Sequence, residues 1–247
     1  MTWQGVAREH FDDGVRSRSL WVAVALSFIF VLLFGRFASR GGVLSGSALF
    51  DTNARTFLFF LTVVFVPVFA FVTSVTALHT RADGDSRDAF VGTVVGRLGV
   101  FSLAVFVAFF PVFVALFSQS GTAAVSEALV ALLGAVLFGL LFLALGLAIS
   151  TLTANALQAA AGAVVVFLVL YAWPFVLDAI GLGVPHAVLE QVWVVFVLGG
   201  IVTTLFSLGQ GSLSSSLFSL VVLGAGVVGA LAIGYVRFDA QTAGERG

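Results

Sequence analysis

Hydrophobic positions in this chain fall in long unbroken runs, and the polar positions collect between them. Leu20–Gly35, Phe57–Leu78, Leu98–Ser118, Ala128–Ala154, Ala156–Leu177 and Leu213–Val236 contain no Asp, Glu, Arg or His. At about 1.5 Å rise per residue, roughly twenty apolar residues cross a hydrocarbon core of about 30 Å. The shortest run reaches that length by continuing through Phe37 or Ala38, with Arg36 near the interface. The pattern predicts an all-α, polytopic membrane helix bundle. Six transmembrane helices are expected at about residues 20–38, 57–78, 98–118, 128–152, 156–177 and 213–236, in one integral-membrane domain covering 1–247.

Two further segments carry a pattern. In Met1–Ser19, Trp3, Val6, Ala7, Phe11, Gly14 and Val15 recur at helical spacing, with Arg8, Glu9, Asp12 and Asp13 between them. That spacing predicts an amphipathic helix lying in the membrane interface (1–19). No small-residue cleavage site follows the first apolar run, so it is expected to be retained. Val192–Leu208 is apolar and uncharged but only seventeen residues long, and Gly199-Gly200 interrupts it. It is expected to re-enter or lie on the outer surface before the last span. Pro67, Pro111 and Pro174 fall inside spans, where each removes a backbone donor and kinks its helix. Gly226, Ala230 and Gly234 make a small-residue stripe on the last span that suits close packing inside one bundle.

Arginine sets the expected orientation. With the N-terminus inside, eight arginines (Arg8, Arg16, Arg18, Arg81, Arg87, Arg97, Arg237, Arg246) lie on inner segments and three (Arg36, Arg40, Arg55) on outer ones. Both termini are therefore expected in the cytoplasm, in a multi-pass protein of the cell membrane.

Composition narrows the chemistry. The chain is 60% hydrophobic and 9% charged, which excludes a soluble domain of 247 residues. Cysteine is absent, so disulfides and thiolate chemistry are excluded. All eleven basic residues are arginine. Without a lysine no P-loop can form, so any ATP hydrolysis must occur on another polypeptide. His10, His79 and His186 lie in separate segments without metal-ligand spacing. Glu127 and Asp178 stand at span ends as interfacial charges, and Ser74, Ser102 and Ser150 lack basic partners and are expected to be packing hydroxyls. No catalytic, metal or cofactor-binding residue is expected, and no nucleic-acid partner.

Charge gathers instead in Arg81, Asp83, Asp85, Arg87 and Asp88, between the second and third spans. Phe90, Val91, Val94 and Val95 follow at helical spacing. A short amphipathic element at this place suits docking of a partner. The stretch Arg87-Asp88-Ala89-Phe90-Val91-Gly92-Thr93-Val94-Val95-Gly96-Arg97 resembles the entry to the third span of ABC-2 type transporter permeases. Ala144-Leu145-Gly146-Leu147-Ala148-Ile149-Ser150-Thr151-Leu152-Thr153 is similar to the family's Leu-Gly-x-x-x-Ser-x-Leu-Thr pattern closing the fourth span. Val6-Ala7-Arg8-Glu9-His10-Phe11-Asp12-Asp13, with Arg16-Ser17-Arg18 and Trp21, resembles its amphipathic opening. The chain departs from the family before the Arg-Asp pair. Only Asp83-Gly84-Asp85-Ser86 stands there, without the Leu-rich half-turn and Pro of relatives.

The resemblance implies the membrane-spanning subunit of an ATP-driven transporter, an exporter, working with a separate nucleotide-binding ATPase subunit that holds ATP-Mg. It also implies a homodimer, or a heterodimer with a similar permease, surrounded by membrane lipids. Arg81, Asp83, Asp85, Arg87, Asp88 and Phe90 are then the expected contacts with the ATPase. A secondary transporter or channel is the alternative from another class, and a non-transporting membrane anchor or assembly factor is a third.

Overall fold

The computed structural model describes residues 2–40, 61–75, 77–78, 85–120, 122–179 and 213–244. These form helices α1 (Trp3–Val15), α2 (Arg18–Arg40), α3 (Val66–Ser74), α4 (Ser86–Ser120), α5 (Thr122–Leu152), α6 (Ala156–Ala179) and α7 (Leu213–Gly244), and no strand occurs among the described residues. The segments 41–60 and 180–212, with Val192–Leu208, lie outside them.

Local chemistry accounts for the breaks. Between α1 and α2 the chain turns at Arg16 and Ser17, and the Trp21 indole N–H donates to the Val15 carbonyl at 2.6 Å, pinning the corner. Ahead of α3, Leu61–Phe65 forms a π-helical turn. Pro67 follows at the start of α3 and has no N–H to give the preceding turn, which widens to compensate. α4 and α6 run without a break through Pro111 and Pro174. Between α5 and α6, Asn155 Oδ1 accepts from the Gln158 N–H at 2.9 Å, capping α6.

The core lies between α3, α4 and α5. Phe69, Phe101, Phe109 and Phe142 are fully buried there, and Phe71 meets Phe142 edge-on at 5.6 Å. Two glycines on α5 make room. A Cβ on Gly139 would strike the Phe101 ring, and one on Gly146 would strike the Ser74 hydroxyl. Close neighbours fix the directions. Gly139 and Gly146 lie beside Val66 and Ser74, so α3 runs parallel to α5. Gly226 faces Leu141 and Gly234 faces Ala148, so α7 runs the same way. The small-residue stripe of α7 is thus consumed inside the bundle. One end of the bundle gathers α1, the start of α2, the C-terminal end of α3, the start of α4, the C-terminal end of α5, the start of α6 and the C-terminal end of α7.

Outside this core the surface is greasy. Leu157 is 81% exposed, Val221 68%, Val228 67% and Val236 64%, a surface that water would penalise and acyl chains would not. Within the described residues, Ser86–Pro111, Leu132–Leu152 and Val221–Ala243 are long and apolar enough to cross a membrane. The described residues form an all-helical arrangement with the character of a membrane protein.

Candidate functional site

Polar side chains of the described residues meet at the end of the bundle that carries α1. The seat of α1 on α4 is built first from glycine. A Cβ on Gly92 would lie 2.6 Å from the Trp3 carbonyl oxygen and from the Val6 Cβ. One on Gly96 would strike the Ala7 carbonyl oxygen and lie 2.9 Å from the His10 Cβ. Each glycine costs its helix about 1 kcal/mol relative to alanine, and here the close backbone approach requires it. Gly99 receives the Phe11 ring and Gly14 receives Val100. Rising numbers on α1 meet rising numbers on α4, so the two helices run parallel and touch over about three turns.

α1 is thus packed along one face against α4. Val6, His10 and Gly14 form its buried face, while Arg8, Glu9, Asp12 and Asp13 are exposed. α4 has 35 residues and is about 52 Å long, longer than a hydrocarbon core is thick.

His10 is the polar centre of this seat. It is 9% exposed, and its Nδ1 lies 3.4 Å from Arg97 Nη2. Arginine has only donors, so Nδ1 accepts and the neutral ring carries its proton on Nε2. Burial, then the Arg97 charge, push the His10 pKa down from 6.5 to about 4, against a smaller upward pull from Asp13. Arg97 Nε is buried and has no hydrogen-bond partner.

A second knot ties α7 to the start of α4. The Phe90 ring packs against Tyr235 at 5.4 Å, edge-on, and against Phe238 at 6.0 Å. Ser86 Oγ donates to Asp239 Oδ1 at 2.5 Å. Gln241 Nε2 donates to the Thr151 carbonyl at 2.9 Å, joining α7 to the end of α5. The Leu78 N–H donates to Ser150 Oγ at 3.1 Å, bringing in the chain after α3. Ser150 is thus a hydrogen-bond acceptor between elements, while Ser74 Oγ donates to the Ala70 carbonyl of its own helix at 2.6 Å.

The expected partner contacts divide among these places. Arg81 and Asp83 lie outside the described residues. Asp85 immediately precedes α4, with its Oδ1 at 3.5 Å from the Arg87 N–H. Asp85 and Arg87 are exposed, and Asp88 is half-buried. Phe90 is 6% exposed and is spent on Tyr235 and Phe238, so it offers no outward surface. Among the described residues no group of three or more His, Asp or Glu gathers. The spacing rules passed over the His10–Arg97 and Ser86–Asp239 pairs, because both join residues far apart in the chain. Gly92-x-x-x-Gly96 was the available signal for the seat.

Compared with known proteins, no family model matches this chain, and no curated sequence matches it significantly.

Proposed function

We propose that this chain is the membrane-spanning subunit of an ATP-driven ABC-2 type transporter, an exporter whose ATP-Mg is bound and hydrolysed by a separate subunit. The observation that carries the proposal is the parallel seating of α1 on α4. It makes one stiff unit of the exposed charges Asp85 and Arg87, the first turns of α4 and a helix with a charged outer face. Such a unit can pass a push from a cytosolic partner to the bundle, because α4 continues from it into the core at Phe101 and Phe109. The resemblance of Arg87–Arg97 and Ala144–Thr153 to family patterns supports the same reading.

The proposed topology has six spans, with both termini in the cytoplasm of a cell-membrane protein. The common direction of α3, α5 and α7 supports it, since α6 leaves the α1 end and α7 returns to it. An outer re-entrant or surface segment at 192–208 is compatible with that return. The exposed apolar faces of α6 and α7 leave room for lipids and for a second permease subunit.

Purification from the native cell in mild detergent tests the proposal. A stoichiometric ATPase should accompany the chain. Replacing Arg87 and Asp88 with alanine should leave insertion intact and reduce the recovered ATPase. Full recovery of ATPase and undiminished transport in that variant would refute the docking role. Uphill transport by the isolated chain on an ion gradient alone would instead establish the secondary-transporter alternative.

A further inference from the structure

We propose that α1 is a proton-released clip: it stays seated on α4 while the His10 ring is neutral, and leaves that seat when the ring takes up a proton. The inference concerns the α1–α4 contact alone and goes beyond the transporter reading, standing or falling independently of any ATPase.

Three features of the contact carry it. The seat is made by close backbone approach at Gly92 and Gly96, with Val6, Phe11 and Val100 beside the glycines, so the ring of His10 is held against α4 with little room to move. It already encloses a cation whose needs are unmet, because Arg97 Nε is buried without a partner. His10 sits against that cation, with Nδ1 3.4 Å from Arg97 Nη2 and only 9% of its surface exposed. A proton on Nδ1 would remove the acceptor that His10 offers Arg97 and place a second positive charge beside the first.

The charged groups around the ring define the response. From α4 the facing group is Arg97, which disfavours protonation. From α1 it is Asp13, which favours protonation but is exposed and weaker than burial and Arg97 together. Arg8, Glu9 and Asp12 on α1 are exposed. The seated ring therefore binds its proton only near pH 4, whereas a released ring binds it near the ordinary 6.5. Because the seated value is depressed, seating is at full strength above 6.5 and weakens as pH falls from 6.5 toward 4. Between pH of about 7.5 and about 5 the seating equilibrium should weaken by about 25-fold.

Hydrogen exchange on the full-length protein in lipid nanodiscs reads this directly. Thirteen residues are too few for a stable isolated helix, so α1 amides exchange when the helix is unseated. Corrected for intrinsic rates, α1 protection factors should fall about 25-fold between those two pH values, with core amides of α5 unchanged. In His10→Gln and His10→Phe the fall should shrink to less than about threefold. Equal α1 protection at both pH values in the native chain would overturn the proposal, as would an undiminished fall in the His10 variants. Should both variants leave α1 unprotected throughout, Arg97→Gln decides. Removing the facing cation should make the fall smaller, and an unchanged fall would overturn the clip.

Discussion

Gly96→Ala tests the most specific packing statement in this molecule. The added methyl would strike the Ala7 carbonyl oxygen and approach the His10 Cβ at 2.9 Å and the Ala7 carbonyl carbon at 3.2 Å. Two of these three are backbone atoms, which cannot rotate away, so α1 must retreat. Overpacking of this kind costs about 1–3 kcal/mol. Alanine also favours helix by about 1 kcal/mol over glycine. That gain is common to the seated and unseated forms, since α4 is helical in both, and it cancels from the seating equilibrium. Seating should therefore weaken by about fivefold to about 150-fold. Trypsin provides the assay, because Arg8 lies exposed on α1. Cutting tracks the unseated fraction as long as reseating is faster than cleavage. The control is Gly229→Ala, whose Cβ would meet nothing within 4 Å and should leave the rate unchanged. If the Gly96 and Gly229 variants were cut at Arg8 at the native rate, the close α1–α4 approach would be wrong. If hydrogen exchange of the α5 core amides rose in step, the effect would be global unfolding and not release of α1.

The knot at α7 makes two further predictions. Phe90→Ala should cost about 3 kcal/mol, because the ring is 6% exposed between Tyr235 and Phe238. The loss should appear as faster trypsin cutting at the exposed Arg237, with hydrogen exchange of the α3 and α5 amides unchanged. Ser86→Ala should cost only about 1 kcal/mol by the same measurement, since Asp239 is exposed and water replaces the lost hydroxyl. A larger effect for Ser86 than for Phe90 would reverse the account of what holds α7 to α4.

Much of the helical organisation was legible in the chain. The uncharged runs at 98–118, 128–152 and 213–236 fall inside α4, α5 and α7. The runs at 20–38 and 156–177 fall inside α2 and α6. The expected amphipathic helix at 1–19 is α1, over Trp3–Val15. Boundaries were less legible. α4 begins at Ser86, about three turns ahead of the apolar run, because the helical period continues through Phe90, Val94 and Arg97 although the hydrophobicity does not. Of the residues expected to meet a partner, Asp85 and Arg87 are exposed, while Phe90 is an internal ring. A phenylalanine beside charges has no mark in one dimension that tells an outward face from a buried one.

The linear order of residues by itself determined that this molecule is helical and greasy, that its long apolar runs carry no charge, and that lysine and cysteine chemistry is closed to it. Those properties depend on composition and on a period of a few residues, which neighbouring positions carry. Only the tertiary structure decided that α1 lies along α4, that His10 faces Arg97, and that Asp239 and Gln241 close the end of the bundle. These pairs are separated by 87, 153 and 90 residues, and they meet because glycines and small side chains let helix axes approach at particular places. Such approaches depend on the shapes of two surfaces at once, and no single stretch of chain contains both.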